Sequence, residues 1–272
     1  MNVTFIGGGN MADALLGGLL RRGFGAHALR VVDVDGAARA RLERKYPGVA
    51  TFGATSEALR EGDVVLFAVK PQQMRDAARA AGLARDRHLV VSIAAGVRIS
   101  SLARWLGGYR RIVRAMPNTP ALVGAGVTGL CPGEGASETD LAAAETILGA
   151  VGRTVRVAPE RLLDAVTAVS GSGPAYVFWL IEQLAAAGEA MGLEAATAER
   201  LALETVHGAA LLAAQSAEPP ARLRERVTSK GGTTEAALAV FGEERLAERL
   251  RRAIAAAERR AAEIGESLDR DA

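Results

Sequence analysis

Apolar positions in the first part of the chain form short continuous runs, the pattern of strands that are buried on both faces of a parallel sheet. Between these runs, apolar residues recur at helical spacing, as at Met11, Leu15 and Leu19. Strands that alternate with helices predict βαβ units, with helices on both faces of the sheet. The predicted strands are 2–6, 29–33, 64–69, 89–94, 112–115 and, at an edge, 154–157, and the predicted helices are 10–22 and 37–46.

The pattern changes near Pro159. The stretches 176–192, 195–215 and 243–265 are long, rich in alanine and helical in period, and no convincing strand follows. We therefore predict two domains, an α/β domain with a parallel sheet at 1–158 and a helical domain at 159–272.

Composition narrows the class of protein. The chain has 272 residues, 49% of them hydrophobic and 24% charged, which is typical of a folded domain. The formal net charge is +2, and arginines alternate with glutamates, so the basic pI of about 9.0 indicates solvated helix faces and no nucleic-acid site.

The sequence contains few cysteines and histidines, the residues that form disulfides and many metal sites. The single cysteine, Cys131, excludes an intramolecular disulfide, and three separated histidines give no metal-site spacing. No signal peptide and no apolar run long enough for a membrane span is recognisable, so we expect a cytoplasmic protein without metal or membrane partner.

The segment VTFIGGGNMA carries a glycine pattern, Gly7-x-Gly9-x-x-Ala12. The first glycine permits a tight turn, the second lets backbone N–H groups approach a pyrophosphate, and the small third residue lets the helix pack on the strand. The pattern follows a predicted strand and begins a predicted helix, with Asn10 and Met11 in its first turn. It predicts dinucleotide binding, the alternative being a structural glycine turn.

Asp33 ends the second predicted strand, at the spacing where a carboxylate accepts hydrogen bonds from the adenosine ribose. Its charge favours NADH. Arg39 is the nearest arginine beyond it in sequence, and Thr55 or Ser56 from another loop offers polar groups for the 2′-phosphate of NADPH. Both NADPH and NADH therefore stay open as the cofactor.

Further loops follow predicted strands, at the sheet edge where α/β proteins bind ligands. They are residues 68–71 (AVKP), 92–96 (SIAAG) and 116–120 (MPNTP). Lys70 is a candidate phosphate or ribose ligand, or an ordinary exposed lysine before Pro71. Asn118 is a candidate polar group in a stiff loop, or a turn-forming asparagine.

The helical domain contains two segments of small residues. In the first, 170–176 (SGSGPAY), a loop leads into an apolar helix. In the second, Gly231 and Gly232 precede Thr233 and Thr234 at a helix start, which suits an anion, or forms a simple N-cap. A dinucleotide fold with a separate carboxylate-sized anion site predicts an oxidoreductase that acts on a small acid.

These motifs together resemble the pyrroline-5-carboxylate reductase family. The matching segments are FIGGGNMA at 5–12, AVKP at 68–71, SIAAGV at 92–97, MPNTP at 116–120, AVSGSGPAY at 168–176 and VTSKGGTTEAAL at 227–238. They occur in the family's order and span nearly the whole chain. The resemblance implies a Rossmann-like N-terminal domain, an all-helical C-terminal dimerisation domain, assembly as a homodimer or a larger ring, and the last step of proline biosynthesis.

The resemblance also implies roles for individual residues. The cofactor would be held by residues that follow the sheet strands, namely Gly7, Gly9, Asn10, Met11, Ala12, Asp33, Ser56, Ala68, Val69, Lys70, Pro71, Ala95 and Asn118. The substrate pyrroline-5-carboxylate would be held by Ser172, Gly173, Gly231, Gly232, Thr233 and Thr234. Many relatives carry arginine or serine where this chain has Asp33-Val34, which leaves their NADPH preference open here.

We hypothesise that an NAD(P)H-dependent enzyme delivers hydride to the ring carbon of a protonated imine. The candidate catalytic hydroxyls are those of Thr234, near the ring nitrogen, and Ser172. A β-hydroxyacid dehydrogenase or another imine reductase is the nearest alternative, although Lys230 is the only lysine after 159 and lies in a glycine loop. An alternative of another class is a non-catalytic protein that senses dinucleotides.

Overall fold

The computed structural model describes residues 1–59, 64–83 and 87–270. The chain divides into two compact units: the first comprises Met1–Ser172 with the chain from Ala257 onward, and the second comprises Gly173–Ala256. The predicted boundary at 158–159 precedes this division and stays a prediction about domains. The predicted end of the second domain, at Ala272, lies outside the described residues.

One sheet of eight strands forms the centre of the first unit, in the order β3-β2-β1-β4-β5-β6-β7-β8. All neighbouring strands pair in parallel except β6 and β7, which are antiparallel. The strands are β1 (Val3–Ile6), β2 (Leu29–Val32), β3 (Ala50–Phe52), β4 (Val64–Phe67), β5 (Leu89–Ser92), β6 (Ile112–Met116), β7 (Gly126–Pro132) and β8 (Gly152–Arg156).

Helices make up the rest of the regular structure. Before the division of the two units lie α1 (Asn10–Arg21), α2 (Gly36–Lys45), α3 (Thr55–Ala58), α4 (Met74–Ala81), α5 (Ile99–Trp105), α6 (Glu138–Leu148) and α7 (Leu162–Val166). After it lie α8 (Gly173–Ala190), α9 (Ala195–Gln215), α10 (Pro220–Arg226), α11 (Thr233–Glu243) and α12 (Leu246–Arg270). The final turns of α12 belong to the first unit.

Two apolar layers cover the two faces of the sheet. Phe5 packs with α1 and α6 on one face, while its neighbour Ile6 packs with the residues of α4 and α5 on the other. Successive side chains of a strand point to opposite faces, so a strand covered on both sides is apolar at most positions. This explains the continuous apolar runs and confirms the predicted α/β fold class with a helical C-terminal part.

Strand β7 was not predicted, and it makes one pairing of the sheet antiparallel. Its sequence, GVTGLCP, carries two glycines and a proline, which weaken a strand signal. A Cβ on Gly129 would lie 2.8 Å from Cγ1 of Val166, so this glycine leaves room for α7 to pack on the strand. The hydrophobic pattern of a strand is weak in this segment because packing against α7 requires a small residue at Gly129. Strand β3, only Ala50–Phe52, was also not predicted.

The predicted helix 243–265 is wrong at its start. The structure ends α11 at Glu243 and begins α12 at Leu246, and the helix is interrupted at Arg245, whose φ is 52°. Only charged residues occupy the junction, with no proline to mark a break in the periodic pattern.

Arg114, on β6, is a buried cation held by two carboxylates. Its guanidinium lies 2.8 Å from Oε1 of Glu160 and 3.6 Å from Oδ1 of Asp164, and the same Glu160 oxygen accepts the backbone N–H of Ile99 at 2.9 Å. Arg114 is 5% exposed. The cluster thus ties the end of β8, the start of α5 and α7 to the central sheet.

Replacing Arg114 with alanine is expected to lower the free energy of unfolding by about 3–5 kcal/mol, because two carboxylates would be left partly buried without their cation. Arg156→Ala is the matched control: this arginine also binds two glutamates, Glu138 and Glu145, but is exposed. Its loss should be much smaller, since water and salt screen exposed pairs. Urea titrations measure both, and equal losses would contradict the role assigned to burial.

Candidate active site

Gly7 forms the turn between β1 and α1. Its φ is +102°, its N–H donates to the carbonyl of Val32 at 2.8 Å, and a Cβ there would lie 2.9 Å from the carbonyl carbon and oxygen of Ala68. A side chain would therefore meet both an unfavourable backbone conformation and a wall of backbone atoms. The predicted need for glycine at this position follows from these contacts.

Gly9 precedes α1 and faces open space. A Cβ there would meet no atom within 4 Å, and among the described residues no side chain caps the first turn of the helix. The N–H groups of that turn and the helix dipole are arranged for an anion. In the same turn, Ala12 is fully buried and Met11 packs against the core, so they support the helix.

Asp33 binds the glycine loop. Its Oδ2 accepts the N–H of Gly8 at 2.7 Å, and its Oδ1 accepts the N–H of Asp35 at 2.9 Å. From the other side, Arg41 donates to the carbonyl of Gly8 at 2.7 Å. The loop is therefore held in shape by charged groups from β2 and α2.

Asp13 connects α1 to α2. Burial raises the pKa of its carboxyl, but hydrogen bonds from Lys45 and Tyr46 outweigh this effect and hold the pKa below its ordinary value. Asp13 thus keeps its negative charge, and Lys45 compensates that charge beside the anion-binding turn.

A cleft of about 580 Å³ opens beside the glycine loop. Six residues predicted to bind the cofactor line it, which are Gly7, Gly9, Asp33, Ala68, Val69 and Lys70. Lining residues that the sequence did not single out are Ile6, Val32, Gly53, Ala54, Gln72, Gln73, Asp76, Ala77 and Ala80. Their signal is only their place at or beyond the carboxyl ends of β1 to β4, including residues of α4.

Some predicted cofactor residues lie outside this lining. Thr55 lines the cleft, whereas its neighbour Ser56 is exposed and does not. Pro71 begins a short 3-10 turn that leads into α4. Ala95, half-buried, follows β5, and Gly96 beside it contacts the end of α12: a Cβ on Gly96 would lie 2.8 Å from Cγ2 of Ile264.

Asn118 braces two segments of backbone. Its Oδ1 accepts the N–H of Val127 at 2.9 Å, and its Nδ2 donates to the carbonyl of Ser170 at 3.1 Å. The side chain therefore fixes the turn that precedes Ser172, a role that sequence reasoning missed because Ser170 is distant in sequence.

Replacing Asn118 with alanine is expected to lower the free energy of unfolding by about 1–3 kcal/mol, since a half-buried N–H and a carbonyl lose their partner. Asn118→Asp keeps the acceptor for Val127 but loses the donor to Ser170, so it should recover part of this loss. Urea unfolding compares the variants, and a wild-type midpoint for Asn118→Ala would contradict the bracing role.

Ser170 and Gly171, predicted as the start of a loop, lie in a π-helical turn, Thr167–Gly171, between α7 and α8. The hydroxyls of Thr167 and Ser170 donate to the carbonyls four residues earlier, and the N–H of Ser172 donates to the carbonyl of Thr167 at 2.8 Å. The small residues of this segment predicted a loop, but they are equally compatible with a π-helical turn. Such turns recur at functional sites.

The start of α11 differs from the expectation. Gly231 has φ +71°, its N–H donates to Oε2 of Glu235 at 2.6 Å, and the N–H of Gly232 donates to the carbonyl of Ser229 at 3.0 Å. Both glycine N–H groups are thus engaged and shape the turn. Within the described residues, the N–H groups and hydroxyls of Thr233 and Thr234 make no hydrogen bond to protein.

Among the described residues, the metal-ligating and thiol side chains form no second site. Within residues 1–59, 64–83 and 87–270, no cluster of three metal-ligating side chains occurs. Burial raises the pKa of the Cys131 thiol, which keeps it protonated and unreactive. No helix in the described part of the chain is long and apolar enough to span a membrane.

Two family profiles match the chain. Residues 2–96 match the profile described as NADP oxidoreductase coenzyme F420-dependent, and residues 160–264 match the one described as pyrroline-5-carboxylate reductase dimerisation. The second match covers the helices with exposed apolar side chains such as Phe178, Trp179 and Leu212. These helices therefore form a self-association domain.

Similar proteins match nearly the whole length of the chain. The pyrroline-5-carboxylate reductase of Pseudomonas aeruginosa is 43% identical over 98% of this chain and 97% of its own, and that of Arabidopsis thaliana is 38% identical over 97% and 96%. A solved pyrroline-5-carboxylate reductase from Coxiella burnetii superposes with a TM-score of 0.92, at 40% identity over 97% of this chain and 98% of that one. The Plasmodium falciparum pyrroline carboxylate reductase, solved with NADP bound, gives 0.83 at 27% identity and the same coverage. This chain belongs to the pyrroline-5-carboxylate reductase family.

Proposed function

We infer that the protein is an NAD(P)H-dependent oxidoreductase that reduces the C=N bond of pyrroline-5-carboxylate and forms L-proline, the last step of proline biosynthesis. The observation that carries this inference is the glycine loop with its cleft, in a chain 43% identical over nearly its whole length to a reductase of this name.

The residues of the cleft fit a dinucleotide. Gly7 lets β1 and the backbone at Ala68 approach closely, and the open space at Gly9 leaves the first turn of α1 accessible to a pyrophosphate. Lys70 is exposed at the same cleft and adds a positive charge. Bound NAD(P)H supplies the hydride. Ala95, Ser56, Pro71 and Asn118 stay proposed cofactor neighbours.

For the substrate carboxylate, the start of α11 supplies the binding groups. We assign this role to the N–H groups and hydroxyls of Thr233 and Thr234, while Gly231 and Gly232 form the turn that presents them. A helix N-terminus stabilises negative charge through its N–H groups and its dipole. Ser172 and Gly173 are proposed to bind the ring.

Proton transfer needs little machinery. A cyclic imine accepts hydride readily once its nitrogen is protonated, so the protein must position the ring and stabilise the charge. The Thr234 hydroxyl makes no hydrogen bond within the described residues. We propose that it binds near the ring nitrogen and relays the proton, with Ser172 as a second polar contact.

Three narrower expectations accompany the proposal. Exposed apolar residues on α8 and α9 supply the contacts for a homodimer or a larger ring. The near balance of charges predicts no nucleic-acid partner, and we propose that the enzyme is cytoplasmic.

The decisive experiment mixes purified protein with pyrroline-5-carboxylate and follows NADPH and NADH oxidation in parallel, with proline measured by amino-acid analysis. Proline formation at the rate of cofactor oxidation is expected. The matched control is 1-pyrroline, the same ring without a carboxylate, which should react far more slowly because α11 has no anion to bind. Protein that binds dinucleotide but oxidises none with pyrroline-5-carboxylate would contradict the assignment.

A further inference from the structure

Arg39 lies at the outer lip of the dinucleotide cleft. A Cβ on Gly36 would lie 3.5 Å from its Nη2, and a Cβ on Gly53 would lie 3.9 Å from its Nη1. Gly53 lines the cleft next to Ala54 and Thr55, directly after β3. The guanidinium is therefore placed between the first turn of α2 and the segment after β3, and glycine on both sides leaves it room.

The positive charge of Arg39 is not neutralised by a protein carboxylate. Its Nη1 donates to the backbone carbonyl of Asp33 at 2.6 Å. The Asp33 carboxylate is turned towards the backbone N–H groups of Gly8 and Asp35. Within the described residues, Arg39 makes no ion pair. A guanidinium has five N–H donors in a planar arrangement, so several remain for a ligand.

Arg39 lies in the first turns of α2, and its N–H donates to the carbonyl of the N-cap residue Asp35. The Asp35 carboxylate caps this helix by accepting the N–H of Ala37 at 2.8 Å, so the partial positive charge of the helix N-terminus already has an anion beside it. The attraction for a further anion at this lip therefore comes from the free donors of Arg39.

From this geometry we propose that Arg39 binds the 2′-phosphate of NADPH and allows the protein to use NADPH although Asp33 ends β2. This inference rests on the proposed function, since it concerns the adenosine end of the same cofactor. The two side chains bind different parts of the cofactor. The Asp33 carboxylate faces the glycine loop and accepts hydrogen bonds from the ribose hydroxyls, whereas Arg39 pairs with the phosphate oxygens from the outer side.

Isothermal titration calorimetry with 2′,5′-ADP and 5′-AMP tests the proposal without catalysis. The two ligands share adenine and ribose and differ by the 2′-phosphate. In Arg39→Gln, the affinity for 2′,5′-ADP should fall by about 10- to 100-fold, because hydrogen bonds to a charged group usually contribute that much to the affinity. The affinity for 5′-AMP should stay within about twofold, by the same reasoning, because it lacks the phosphate.

Two further variants separate charge from geometry. Arg39→Lys keeps the cation but not the planar pair of donors, so it should restore part of the 2′,5′-ADP affinity. Arg44→Gln removes an exposed arginine farther along the same helix and should leave the affinities for both ligands unchanged.

The outcomes distinguish the inference from the function on which it rests. Selective loss of 2′,5′-ADP binding in Arg39→Gln supports the inference. Equal losses for both ligands, or no loss, or an effect of Arg44→Gln as large as that of Arg39→Gln, would overturn it while the dinucleotide site stands. Failure of the unaltered protein to bind NADPH, NADH and either adenosine ligand would instead overturn the proposed function.

Discussion

Replacing Gly7 with alanine is expected to lower the affinity for NADPH and NADH by at least about 100-fold, since strained backbone costs about 1–3 kcal/mol and steric overlap adds to it. The new Cβ would lie 2.9 Å from the Ala68 carbonyl and from Cγ1 of Val69, both of which line the cleft. Relieving the overlap moves β1 away from β4 or lifts the loop from the pyrophosphate. Quenching of protein fluorescence during cofactor titration measures the affinity, and urea unfolding measures the accompanying loss of stability.

Gly23→Ala is the matched control. Gly23 also has positive φ, +86°, but a Cβ there would meet no atom within 4 Å. It follows α1 and does not line the cleft. Its substitution introduces the backbone strain alone, so stability should fall while cofactor affinity stays near that of the unaltered protein. If Gly7→Ala binds cofactor as well as Gly23→Ala does, the close approach at Ala68 has no part in binding.

Replacing Thr234 with alanine is expected to lower kcat by about 100-fold or more, the usual effect of losing a single transition-state hydrogen-bond donor. The hydroxyl makes no hydrogen bond within the described residues, and alanine suits a helix, so the fold should not suffer. Steady-state rates with pyrroline-5-carboxylate separate kcat from KM. A fall in kcat indicates a transition-state role, whereas a rise in KM alone indicates only ground-state binding.

Thr228→Ala and Thr234→Ser complete this test. Thr228 lies just before the glycine turn, and its hydroxyl is already bound to the carbonyl of Arg224 at 2.7 Å, so its loss should leave kcat nearly unchanged. Thr234→Ser keeps the hydroxyl and should recover most of the rate. A Thr234→Ala enzyme as fast as the Thr228→Ala enzyme would remove Thr234 from the mechanism.

The sheet was predictable because its signal is local and redundant. Each strand between two layers of helices needs apolar residues at most positions, so Val64–Phe67 and Leu89–Ser92 stand out in the sequence alone. Strand β7 was not predicted because close packing against Val166, which is distant in sequence, requires a glycine at position 129. The break between α11 and α12 at Arg245 was not predicted because its charged residues fit a continuous helical pattern.

The sequence by itself determined the dinucleotide loop, since the conformational demands on Gly7 and the helix start after Gly9 are written in neighbouring residues. It also predicts a site at the two threonines that begin α11. Only the tertiary structure decided how charged and amide side chains are used. Asp33 turns to Gly8, Arg39 reaches the cleft lip, and Asn118 braces Ser170. The physical reason is that a hydrogen bond needs its partner within about 3 Å, and packing brings these partners together from segments separated along the chain.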